Sequence, residues 1–174
     1  MTRTPGAEDL YAFVDRLAAQ HEQPEEEPEP LEEWLEFEAG GLDLGLPVTA
    51  VLEVVRPRPV TRVPGAPPAV RGLINLRGRA LPLVDLGAHL GLAAAQGGDD
   101  ARIVVLESRG RRFGALVERV SRLAKIAPST IRRLSEGESP VPPAVVRGAG
   151  PSAERPRVLL DPERILLTGD DPSA

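Results

Sequence analysis

Cysteine is absent from this 174-residue chain, and histidine occurs only at His21 and His89. The first absence excludes disulfides, thiol catalysis and thiolate-bound zinc, and the second excludes a histidine-rich metal centre. Aromatic residues are scarce too: three Phe, one Tyr and one Trp leave the core to Val, Leu, Ile and Ala. No apolar run approaches the roughly 20 residues needed to cross a bilayer. The start, MTRTPGAEDL, lacks the apolar stretch of a signal peptide, so we expect a cytoplasmic protein without membrane insertion. No Ser-His-Asp set and no phosphate loop is recognisable, which argues against an enzyme and against a bound cofactor.

What the chain has in plenty is proline (19), glycine (17) and a divided charge. Up to Glu38 there are twelve acidic and two basic residues; from Ala39 onward there are fourteen and nineteen. Residues 7–20 place Leu10, Phe13, Val14 and Leu17 at helical spacing, predicting an amphipathic helix: a frayed terminal helix, one that docks on its own domain, or one that binds a partner's groove. The following HEQPEEEPEPLEE has little to bury and reads as an extended, self-repelling linker. We therefore divide the chain into a tethered helix and acidic Pro/Glu linker (1–30), a folded domain (31–168) and a disordered tail (169–174).

Within the folded domain, Leu35, Phe37 and Ala39 alternate with Glu36 and Glu38. Gly40-Gly41 then turns into Leu42, Leu44 and Leu46, which predicts a hairpin. Glu53 is the one charge among Val51, Leu52, Val54 and Val55, and is either a solvent-facing strand position or a binding contact. The clearest signal is VRGLINLRGRALPLVDLGAHLGL at 70–92: two short strands joined at Arg77-Gly78, then Asp85 as cap of a short helix that Gly91 ends. Further strands are expected at 103–106, 113–117, 123–126 and 157–160. A helical turn starting at Pro128 and holding Ile131 and Leu134, and a flexible SEGESPVPP, separate the last two. Asp161 and Pro162 start a last short helix.

The pattern repeats. PPAVRG at 67–72 returns as PPAVVRG at 142–148, and Leu83-Val84-Asp85 returns as Leu159-Leu160-Asp161, with thirteen positions from Gly72 to Asp85 and from Gly148 to Asp161. Leu44-Gly45-Leu46 has a weaker counterpart in Phe113-Gly114-Ala115. The domain reads as a duplication, with approximate halves 34–92 and 101–167, each the size of a small SH3-like barrel.

VRGLINLRGRALPLVDL resembles the signature segment of the CheW family of bacterial chemotaxis coupling proteins, and the similarity runs from about Trp34 to Leu167. The resemblance implies a mainly β fold of two pseudo-symmetric five-stranded SH3-like barrels around a shared apolar seam. It implies an adaptor that joins the cytoplasmic hairpin tip of a chemoreceptor (a methyl-accepting chemotaxis protein) to the regulatory domain of a CheA-type histidine kinase in a receptor array. The family's receptor-facing groove corresponds to Val51, Glu53, Val54 and Arg77, and kinase attachment to the loops near Arg62 and the hairpin near Gly114. Gly72, Asn75, Gly78, Asp85, Gly148 and Asp161 are expected to be structural. The segment Val117-Glu118-Arg119-Val120 departs from the family pattern. An alternative is a CheW-like scaffold for a motility or polar-localisation system without kinase binding. A further alternative is a nucleic-acid binder using Arg109, Arg111, Arg112, Arg119, Arg122, Arg132 and Arg133 on phosphates; it is disfavoured by one lysine and few aromatics.

Overall fold

A computed structural model of the chain describes residues 7–21, 27–151 and 155–165. The expected tail 169–174, Leu166 to Leu167 and part of the acidic linker lie outside them. Residues 1–30 form one unit and 31–174 another. In the first, the predicted helix is α1 (Ala7–His21), acidic in its first turn at Glu8 and Asp9, where carboxylates suit the unpaired amides.

The second unit contains β1 (Glu32–Ala39), β2 (Leu42–Pro47), β3 (Val51–Val55), β4 (Val60–Thr61), β5 (Val70–Leu76), β6 (Arg79–Asp85) and α2 (Leu86–His89). There follow β7 (Arg102–Ser108), β8 (Arg111–Val117), β9 (Arg119–Ile126), β10 (Val146–Gly150), β11 (Arg157–Leu160) and α3 (Pro162–Ile165). They form a five-stranded sheet, β10-β11-β2-β1-β9, and a six-stranded sheet, β3-β7-β8-β6-β5-β4. The mainly β, two-barrel architecture is as expected, but no barrel belongs to one half of the sequence. The first sheet joins β1 and β2 to three second-half strands, and the second joins β7 and β8 to four first-half strands. Four pairings make the exchange: the parallel β11 with β2 and β6 with β8, and the antiparallel β1 with β9 and β3 with β7.

The duplication is visible atom by atom. Asp85 N donates to Ala69 O and Asp161 N to Val145 O, both at 2.8 Å. Gly72 and Gly148 each sit at a register shift, and a Cβ on either would lie 2.2 Å from Thr61 O or 2.7 Å from Arg132 O. The weak Gly45/Gly114 correspondence is also real. Gly45 pairs with Leu159 and Gly114 with Leu83, across the two parallel pairings.

The main core is shared between the sheets: Leu35, Phe37, Leu44 and Leu46 from one meet Val104, Leu106, Phe113 and Val117 from the other. Two smaller clusters fill the barrels, Trp34, Ile126 and Leu159 in one and Ile74, Leu81, Leu83, Ile103 and Val105 in the other.

Three local expectations need correction. Glu32 and Glu33 belong to β1 and not to the linker, because they pair with Ile126 and Lys125 of β9. The turn at Pro128 ends at Thr130, and Arg132 bridges to Ala149 instead of continuing a helix. The SEGESPVPP loop is tied, not free: Glu138 accepts from Ser135 N at 2.6 Å and from Arg132 at 3.1 Å.

Candidate functional site

Alternation along β3 puts Val51, Glu53 and Val55 on its half-buried face and Leu52 and Val54 outward. Val51 packs on the shared core and Val55 on the barrel interior beside Ile74 and Leu81. Leu52 and Val54 remain 47% and 39% exposed. In the sheet β3 is outermost and pairs only with β7.

The β5–β6 hairpin supplies the other half of the site. Arg77 and Gly78 form its two-residue tip with φ of 51° and 79°, the left-handed pair that suits a twisted hairpin. Asn75 Oδ1 accepts from Gly78 N at 2.9 Å and fixes the turn. A non-glycine residue at positive φ costs on the order of 1 kcal/mol, yet the same strain recurs at Arg109-Gly110 between β7 and β8. Strain therefore does not single out Arg77; its partner does. Arg77 Nη2 donates to Glu53 Oε2 at 2.9 Å, with the arginine side chain 79% exposed and the glutamate 25%. Since β7 and β8 separate β3 from β6 in the sheet, this pair reaches from the β3 edge of the sheet to the β5–β6 turn.

The structure thus brings Glu53 and Arg77 together with Val54 alongside, and turns Val51 toward the core. Leu52, more exposed than Val54, was missed; its place beside Val54 on one face of a strand was the available signal. Arg62 is exposed in the loop after β4 and has no ion pair among the described residues. Gly114 is corrected as a contact: it is buried in β8 between β6 and β7, and a Cβ there would lie 2.8 Å from Ile103 Cγ2. The exposed part of that hairpin is its tip, Arg109-Gly110.

The remaining expected residues have packing roles. Asp85, 1% exposed, accepts from Ala88 N at 3.1 Å as the cap of α2, from Ala95 N at 3.0 Å and from Arg71 at 2.7 Å. Asp161 accepts from Glu163 N at 3.0 Å at the start of α3. A charge cluster that alternation concealed lies on β1: Glu36, 2% exposed, is held between Arg122 at 2.7 Å and Arg157 at 2.9 Å. Its strand is covered on both faces, so its polar position is not a wet one. Five of the seven arginines considered for phosphate contact are ion-paired, namely Arg109, Arg112, Arg119, Arg122 and Arg132. Their charge is largely answered within the fold, which weakens the nucleic-acid reading.

Residues 33–168 match the CheW-like domain family. The chain belongs to that family. The CheW-like domain makes this chain a non-enzymatic scaffold. It is similar to the chemotaxis protein CheW of Helicobacter pylori, 29% identical over 91% of this chain and 94% of that protein. It is also similar to protein FrzA of Myxococcus xanthus, 32% identical over 67% of this chain and 69% of that protein. Among solved structures, the scaffolding protein TtCheW from Thermoanaerobacter tengcongensis superposes with a TM-score of 0.72 at 25% identity, covering 81% of this chain and 90% of that one. Among the described residues no helix is long and apolar enough to cross a membrane, and no group of three His, Asp or Glu is placed to hold a metal ion.

Proposed function

We propose that this CheW-like domain is an adaptor that couples the cytoplasmic hairpin tip of a chemoreceptor to a CheA-type histidine kinase. The observation that carries this reading is the exposed Arg77–Glu53 pair beside the outward Leu52 and Val54 on an edge strand. A helical hairpin tip presents an apolar stripe flanked by polar side chains. Leu52 and Val54 offer the apolar contact, and Arg77 has donors left over for a carboxylate after one is spent on Glu53. Val51 supports the strand from behind. The contact is small, so array-level avidity supplies the rest of the binding.

Binding of a receptor cytoplasmic fragment tests this. Arg77→Glu should weaken it about tenfold or more, the worth of a charge-assisted hydrogen bond, and Leu52→Asp should do likewise, with circular dichroism and melting temperature nearly unchanged. Wild-type affinity in both variants would sink the assignment.

Kinase attachment retains Arg62 as its candidate. The burial of Gly114 and the likeness to proteins with other names, FrzA and PilI, favour keeping a second reading: a scaffold for partners other than a kinase. Co-purification from native cells separates the two by whether a histidine kinase is retained.

A further inference from the structure

The two repeats share one arrangement for their capping aspartates and then depart from it. In the first, Arg71 donates to Asp85 at 2.7 Å and to Ala95 O at 2.9 Å, while Ala95 N returns 3.0 Å to the same carboxylate. The chain after α2 thereby roofs the pair. The counterparts Arg147 and Asp161, also fourteen positions apart, are not joined. Arg147 turns instead to Glu32 at 2.8 Å and stacks over the Trp34 ring at 5.2 Å, and Asp161 pairs with Arg164 at 3.3 Å.

The space left is a cleft of about 500 Å³ whose lining includes Arg133, Arg147, Arg164, Ser135, Ser139 and Asp161. Three arginines line it, of which Arg147 and Arg164 are already paired with Glu32 and Asp161. Arg133 has no ion pair among the described residues. Its neighbour Arg132 is held by Glu138, which also ties down the Ser135 amide. Ser139 Oγ accepts from Val141 N at 3.1 Å, so its hydroxyl proton is left to donate outward.

We propose that this cleft binds a tetrahedral oxyanion, either free phosphate or the phosphoryl group of a phosphorylated side chain. Arg133 is the anchor, Arg147 and Arg164 flank it, and the two serines add donors. A guanidinium offers paired N–H groups in the spacing of two phosphate oxygens, and a rigid rim reduces the ordering cost of binding. The inference rests on the broken symmetry of the repeat and is independent of the receptor reading.

The test is an amide NMR titration of the full chain with inorganic phosphate at constant ionic strength, with chloride as reference and a short phosphoserine peptide as a second arm. Saturable shifts should be confined to 133–141 and the Arg147-Gly148 region. Arg133→Ser should raise the dissociation constant about tenfold, Arg164→Ser should raise it less, and Arg58→Ser, on a remote loop, should leave it unchanged. Tighter binding of phosphate assigns the site to the free anion, and tighter binding of the peptide assigns it to a phosphorylated partner. Non-saturating shifts, equal shifts with chloride, or an unaltered dissociation constant in Arg133→Ser would overturn the proposal.

Discussion

Replacing each capping aspartate by alanine should separate the two halves of the duplication by energy. Asp85→Ala removes the acceptor for Ala88 N, a helix cap worth about 1 kcal/mol. It also strands Ala95 N, a buried amide whose lost partner costs about 1–3 kcal/mol. The Arg71 side chain is 41% exposed and rehydrates, so the ion pair adds only about 0–1 kcal/mol. The total is about 3 kcal/mol, or a melting temperature lower by about 6–12 °C for a domain of this size. Asp161→Ala loses the cap to Glu163 N and an ion pair to Arg164 in which the arginine is exposed and the aspartate half-buried. It should cost about 1 kcal/mol and about 2–4 °C. Thermal and urea unfolding of the full chain measure both. Equal losses in the two variants would refute the argument that the first repeat closes its aspartate with the chain after α2 and the second leaves it open.

Two glycines of one hairpin should fail for different reasons. Gly72→Ala combines φ of 138° with a Cβ 2.2 Å from Thr61 O and should prevent soluble expression, whereas Gly78→Ala meets no atom within 4 Å and should cost only about 1 kcal/mol of turn strain. Gly114→Ala should lower stability by about 1–3 kcal/mol through overpacking against Ile103; an unchanged urea midpoint would contradict its burial. Arg77→Ala should change the midpoint by less than about 1 kcal/mol, since its ion pair is exposed, while receptor binding still falls. Glu138 is held below its ordinary carboxylate range of 4.5, first by the hydrogen bond from the Ser135 amide and then by Arg132. A lowered folded value means its contribution is full above 4.5 and fades as pH falls through the folded value. Protection of the Ser135 amide should therefore hold at neutral pH and be lost only at acid pH below that range, and earlier loss would contradict the tie.

The hairpins, their turns and the capped helices were legible because each is written in a few adjacent residues. Asn75 and Gly78 mark one turn, and Asp85 with Gly91 brackets one helix. The repeat was legible because its spacing is preserved. The exchange of strands was not, since β2 meets β11 and β6 meets β8 by long-range pairing that leaves no local mark. That blindness explains the particular misses. Gly114 looked like part of a surface hairpin because nothing nearby announces that β8 lies between two other strands. Glu36 looked solvent-facing because its neutralising partners, Arg122 and Arg157, lie 86 and 121 positions away. Leu52 was passed over because an apolar residue in an apolar run gives no sign of which face is covered.

The exchange also bears on how such a scaffold works. Were each half a separate barrel, the two would meet across a surface and could pivot. Here β3 takes its only strand partner from the second half of the chain, β7, and the same β7 sends Val104 and Leu106 into the core shared with Leu44 and Leu46 of the other sheet. A displacement at Glu53 or Leu52 is thus imposed directly on the main core. Dense packing resists small continuous deformation, so under the proposed function partners bound at the β3 edge and elsewhere on the domain would be held at a fixed separation and angle. A rigid spacer of this kind transmits a conformational change in one partner by moving as a body. The strain in its Arg-Gly turns and its one open repeat cleft then lie at the surface and not in the seam.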